Sequence, residues 1–320
     1  MKPTQTPITI PQPQLGFSFS PGGMLLPYHL GVMDSLTTCG LLDETTPVAG
    51  SSAGAIAVAT HACGLSSAAV LDATIALAAE CQAAGGARGR LIPALRRQMQ
   101  RMIGREQLER IQNRPGKVGI AYQQVLPWAQ AVVQTEFDSL DDLIHAVSFS
   151  STFPFFSDKW PVAVDTRQDM PRVVVDGFFT VPRNRLGCPD LNAMMASSCS
   201  NTDKSANNDN TKQKQQEAAI HEILVACFPQ EKVRLTAVPA ERCISPTEHA
   251  FDGALPVWQQ PRDGSPRGMA SFIQIAMETS PASTYFRVYE QGLADGEAWA
   301  AAAAARELIL PSSTERTALN

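Results

Sequence analysis

Residues 47–57 read Pro-Val-Ala-Gly-Ser-Ser-Ala-Gly-Ala-Ile-Ala, with a serine between two glycines straight after a short apolar run. Gly50, Ser52 and Gly54 fall at alternate positions, a pattern that suits a strand turning abruptly into a helix. The glycines remove Cβ atoms that would collide at the corner, and the serine is left pointing out at a helix N-terminus. A serine so placed can attack an acyl carbonyl. That chemistry needs a base to take the serine proton and N–H donors to hold the oxyanion of the tetrahedral intermediate.

Donors are available in two places. The Ala53 N–H opens the helix after Ser52, where the helix dipole favours negative charge. Pro21-Gly22-Gly23 closes the run LGFSFS (15–20), and in a parallel sheet that strand ends on the same edge as the elbow. For the base there are two routes. Asp176 ends the apolar run VVVD and would act directly in a Ser–Asp dyad. The order Ser52, Asp176, His249 also satisfies an α/β-hydrolase triad, although that fold places several strands before its nucleophile and only one or two precede Ser52. Of the four Asp-Gly pairs, at Asp176, Asp252, Asp263 and Asp295, only Asp176 follows a strongly apolar strand. The dyad is therefore favoured, and it leaves all five histidines (29, 61, 145, 221, 249) outside proton transfer.

The elements that must hold these groups alternate. Strands are expected over 15–20, 47–50, 117–125, 129–137, 172–179 and 232–239. Helices are expected from Leu26, over Ala53–Cys63, Ser66–Ala83 and Gly89–Ile103, after Ser139 with Asp142 as a capping box, and over 284–300. Strand followed by helix, repeated, indicates a mostly parallel sheet covered on both faces. The polar segment 197–216 reads as a disordered insertion. The domain expectation is a loose tail over 1–14, one domain over 15–309 and a tail over 310–320.

Composition narrows the class. The chain has 320 residues, 44% hydrophobic, and a net charge of −5 with no long single-sign run, so nothing suggests a nucleic-acid partner. The arginine-dense stretch from Arg88 to Arg110 reads first as the solvated face of a helix, and second as a surface for anionic headgroups. Seven cysteines without a CxxC pair suit a reducing compartment, and the histidines have no metal-ligand spacing. With no apolar signal core or membrane-length run, an intracellular protein, cytoplasmic or peripheral at a membrane, is expected.

Taken together, the ordered motifs resemble the patatin-like phospholipases, in particular the branch of adipose triglyceride lipase and adiponutrin. GFSFSPGGMLLPYHLGV is similar to that family's glycine-rich loop and following helix, and GSSAGA to its elbow. SLDDLIHAVSFSSTFPFF resembles the helix and Phe-Pro turn before the second catalytic strand, VVVDGFF its Asp-Gly motif, and YFRVYEQGLADG the branch's closing helix. The likeness runs from about residue 15 to 300, leaving the polar insertion unmatched.

The resemblance implies a three-layer α/β/α sandwich of the patatin type. It also implies a lipid acyl hydrolase with Ser52 as nucleophile, Asp176 as base, and Gly22, Gly23 and Ala53 as oxyanion donors. No metal or organic cofactor is implied; the partners are a lipid ester and a membrane or lipid-droplet surface. Three departures stand out: Pro21 replaces the loop's usual first glycine, Leu26 a later one, and Phe178 follows the Asp-Gly pair. Proline has no N–H, so the hole relies on Gly22 and Gly23. A catalytically silent lipid- or partner-binding member and a transacylase on the same dyad are the alternatives. Met24, Leu25, Leu26, Phe153, Phe155 and Phe156 are candidates for an acyl channel, at least half of them expected to be ordinary core.

Overall fold

Leu15–Phe19 (β1) alternates bulky and small side chains, and this sets the two faces of the sheet. Phe17 and Phe19 lie in the main core on one face. On the other, Gly16 lies against Leu191 and Ile220, and the Ser18 hydroxyl donates to the Pro189 carbonyl at 2.6 Å. The computed structural model describes residues 14–167, 170–199, 220–233, 238–256 and 266–305. The remaining strands are Val48–Ser51 (β2), Val118–Leu126 (β3), Gln130–Gln134 (β4), Ala163–Asp165 (β5), Arg172–Val175 (β6), His221–Val225 (β7) and Cys243–Ile244 (β8).

β1 lies between β2 and β7, parallel to both; β2 with β3 and β7 with β8 are also parallel. β4 and β6 pair antiparallel with β3, and β5 antiparallel with β6. The sheet is thus mostly parallel, with an antiparallel flank.

Helices Leu26–Thr38 (α1), Ala53–Ala62 (α2), Ser67–Ala83 (α3), Leu91–Met102 (α4), Arg105–Gln112 (α5) and Leu140–Ser150 (α6) precede β5. Leu191–Cys199 (α7), Met269–Met277 (α8) and Ala282–Ala305 (α9) follow β6. α1, α2 and α6 share the core that holds Phe17, Val48 and Ile120. On the opposite face α7 sets Leu191 and Met194 against Ala49. Helices on both faces make a three-layer α/β/α fold. α9 packs along α1, tied by Tyr28 to Asp295 at 2.9 Å and Tyr289 to Asp34 at 2.6 Å.

Several expectations change. Residues 231–233 form a turn, not the start of a strand over 232–239, and 234–237 lie outside the described residues. The strand in this region is β7, which continues the sheet beside β1. The helix expected over 89–103 is α4, at Leu91–Met102, and a further helix, α5, that was not expected follows it after Ile103-Gly104. The strand expected over 129–137 is shorter, at Gln130–Gln134, and 172–179 is a strand only to Val175 before a 3-10 turn over Gly177–Phe179. The expected insertion begins inside α7, which runs to Cys199, and 200–219 lie outside the described residues. So do 1–13 and 306–320, which hold most of the expected tails.

Candidate active site

The long strand β3 brings Ser52 and Asp176 together. Ile120 and Ala121 pair with β2 on one edge and with β4 on the other. Gln123 and Gln124 pair with β4 and also with β6, so β6 must share the edge used by β2. β2 fills that edge up to Ser51 opposite Ala121, and β6 resumes it at Val175 opposite Gln123, running the other way. Two strand ends therefore meet head to head, and the next residue of each is Ser52 and Asp176. The strand that ends at Asp176 is antiparallel to β3, which strand–helix alternation alone does not reveal.

Ser52 has φ 52° and ψ −117°, a strained conformation for a residue with a side chain. Such strain costs on the order of 1–3 kcal/mol and persists where the surroundings hold it. Here the holding groups are plain. The Ser52 N–H donates to the Ser150 hydroxyl at 2.8 Å, and that hydroxyl donates to the Ala121 carbonyl on β3 at 2.6 Å. Gly54 lies so close to β1 that a Cβ there would meet the Phe19 carbonyl oxygen at 2.4 Å, and its N–H donates to the Ser20 carbonyl at 3.2 Å. Only glycine fits.

Asp176 is fully buried. Its N–H donates to the Thr152 carbonyl at 2.9 Å, and its Oδ1 accepts the Phe178 N–H at 2.8 Å. Oδ2 is buried without a hydrogen bond of standard geometry. Burial pushes the carboxyl pKa up to about 7, against the lowering influence of the Phe178 N–H and the Ser52 hydroxyl. The group can hold or release a proton near neutrality.

The glycine loop lies against the elbow. Ser20 anchors it: its N–H donates to the Val225 carbonyl at 2.9 Å, and its hydroxyl accepts the Cys227 N–H at 3.1 Å. Its carbonyl accepts from Gly54 and, at 2.7 Å, from His29 Nε2. Gly23 has φ 55°, and a Cβ there would strike the Ala276 carbonyl oxygen of α8 at 2.4 Å. Among the described residues nothing accepts from the N–H groups of Gly22, Gly23 or Ala53. Those three donors remain open at the N-terminal end of α2.

From this polar end extends a cavity of about 280 Å³. Its walls come from α2, α3 and α4, with Ile56, Val70, Leu77, Ile92, Leu95 and Met99 as the main apolar surfaces. Of the six channel candidates read from the sequence, Met24, Leu26, Phe153 and Phe156 also line it. Leu25 is buried core instead, and Phe155 points outward at 62% exposure.

The patatin-like phospholipase family model matches residues 17–182, more than half of the chain, from β1 through the glycine loop and elbow to the turn after Asp176. The chain belongs to the patatin-like phospholipase family. No curated protein matches the sequence. Among solved structures, VipD from Legionella pneumophila is similar at 9% identity and a TM-score of 0.41, over 91% of this chain and 67% of that one.

Within this patatin-like domain the expected site residues separate clearly. Ser52, Asp176, Gly22, Gly23 and Ala53 all border the one cavity. Gly50 packs beneath the elbow, where a Cβ would meet the Gly54 carbonyl carbon at 2.3 Å. His249 does not border it; it is exposed and pairs with Asp252 at 2.8 Å. Two supporting residues escape a sequence reading. Ser150 lies at the end of α6, and no motif marks it as the acceptor for Ser52. His29 looks like one more residue of an amphipathic helix, yet its ring braces the carbonyl that precedes the loop. Burial holds its pKa down at about 4, so it acts as a neutral donor. Pro21 packs on Gly187, and Leu26 is part of the cavity wall.

Proposed function

We propose that this protein hydrolyses carboxylic esters of lipids through a Ser52–Asp176 dyad and an acyl-enzyme. One observation carries the reading: a strained serine and a fully buried carboxyl meet at the polar end of a cavity whose walls are almost wholly apolar. A polar head chemistry joined to an apolar tail suits an acyl ester. The family supports lipid substrates in general, and the likeness to the adipose triglyceride lipase and adiponutrin branch favours acylglycerols among them.

Ionised Asp176 takes the proton of Ser52 as the hydroxyl attacks the acyl carbonyl. The oxyanion forms against the open N–H groups of Gly22, Gly23 and Ala53, with the α2 dipole behind it. Asp176 then returns the proton to the departing alcohol. Water, activated by the same carboxylate, releases the acid; a lipid alcohol in its place would make the reaction a transacylation. The exposed rings of Phe155, Phe178 and Phe179 border the catalytic end and suit contact with a membrane or droplet surface.

The competing reading is a silent lipid-binding member, favoured by Pro21, which brings no N–H to the loop. A fluorophosphonate probe separates the two. The proposal requires labelling and short-chain nitrophenyl ester turnover in the wild type, both lost in a folded Ser52→Ala variant. Ester turnover retained in Ser52→Ala overturns the assignment.

A further inference from the structure

One side chain of the cavity wall has no part in the ester chemistry. Gln98 on α4 lies among Leu95, Met99 and Met102, and all four line the cavity. It is only 9% exposed, and among the described residues nothing hydrogen-bonds its amide. The other polar groups of the deep wall are spent on their own helices: Thr60 donates to the Ile56 carbonyl and Thr74 to the Val70 carbonyl, each at 2.8 Å. The amide opens to the cavity, where water can reach it; an apolar occupant that displaces this water leaves its donor and acceptor unmatched, which is costly.

Its position says where a match must come from. α4 starts beside the turn at 152–157, where the Ile92 N–H meets the Ser157 carbonyl and Thr152 holds the Asp176 N–H. Gln98 lies seven residues beyond Leu91, about 10 Å along the helix axis. The amide therefore meets an acyl chain well past its ester group. A plain methylene chain would strip water from the amide and return nothing, whereas a hydroxyl can both donate to its carbonyl and accept from its NH₂.

We infer that the cavity selects acyl chains bearing a hydroxyl part-way along, with Gln98 as the specificity-determining residue. The inference rests on the cavity being the acyl pocket of the function proposed above. A site built to hydrogen-bond a substrate hydroxyl discriminates strongly against the analogue without it, because its own polar groups are then left unpaired.

Binding to the Ser52→Ala protein tests this without turnover. The ligands are methyl esters of one chain length, unsubstituted or with a hydroxyl walked carbon by carbon, measured by calorimetry. Some stretch of positions should bind at least about tenfold tighter than the plain ester. That preference should vanish when Gln98→Met, which keeps the side-chain shape, is added. Equal affinity for all the esters, no binding at all, or a preference that persists in the Gln98→Met background overturns the inference. The ligand walk alone decides the matter should the double variant not fold. Probe labelling of wild type reports separately on the catalytic reading: labelling with no hydroxyl preference sinks only this inference, and a hydroxyl preference without labelling sinks only the dyad.

Discussion

Asp176 carries opposing demands in one carboxyl group. As the proposed base it must be ionised, yet burial favours its neutral form and sets the pKa at about 7. Activity should therefore fall as the pH drops below about 7, a limb that kcat/KM measured across pH would trace. The sign for stability is opposite. The folded-state value lies above the ordinary 3.8, so the folded protein holds its proton longer than the unfolded chain. The stabilisation is complete below about 3.8 and lost as the pH rises through about 7, at a cost approaching roughly 4 kcal/mol. Asp176→Asn should then be more stable than wild type at alkaline pH, by an amount that shrinks as the pH falls toward 4. The same variant should lose at least about a hundredfold in turnover. Melting curves and rates on one variant test both; a stability gain that does not depend on pH would disprove the burial argument. His29 needs no such titration, since its ring acts as a fixed strut under Ser20.

At the level of the element, α4 shows what a sequence conceals. The elbow, the glycine loop and the Asp-Gly turn were legible because short backbone corners demand particular residues at particular spacings. The cavity was not, because Ile92, Leu95 and Met99 fall at the helical spacing of any core-facing stripe. Periodicity tells which face turns inward, not whether that face meets a neighbour or an empty space. The arginines on this helix divide similarly: Arg97 pairs with Glu80, while Arg96 reaches the Ser148 hydroxyl at 3.1 Å. The cap of α6 was half legible. Ser139 accepts the Asp142 N–H at 3.1 Å as expected, but the Asp142 carboxylate is held by Arg167 at 2.7 Å and Gln134 at 3.0 Å. Pairing across such distances leaves no local pattern. If α4 is the wall of an acyl pocket, Leu95→Trp should shorten it. Turnover of long-chain nitrophenyl esters should fall at least about tenfold relative to short-chain ones, a differential effect that an enzyme binding its acyl group elsewhere would not show.

For the molecule as a whole, part of the exposed apolar surface lies on the two segments, 153–160 and 177–179, that flank Asp176 in the sequence or in space. Phe155 sits at φ 60° with its ring in solvent, Phe153 stacks on Phe179, and Trp160 is 72% exposed. If these side chains enter a lipid surface, Phe155→Ser with Phe179→Ser should weaken vesicle cosedimentation by at least about tenfold, since burying each phenylalanine contributes about 1.5–3 kcal/mol. Unchanged vesicle binding would place the contact on another face.

The head-to-head meeting of β2 and β6 makes β3 a ruler. The gap between Ser52 and Asp176 is a length counted off in residues of a third strand that supplies neither. Slipping β6 by one residue would turn Asp176 to the opposite face, and slipping it by two would carry the carboxyl about 7 Å away. The irregular pairing between Gln124 and Leu126 falls beyond the Gln123–Val175 pair, on the side away from the site. Length changes at the hairpin end of β3 can thus be absorbed at that irregularity. Changes between Ala121 and Gln123 cannot, and that short interval is where the chain has least freedom to drift.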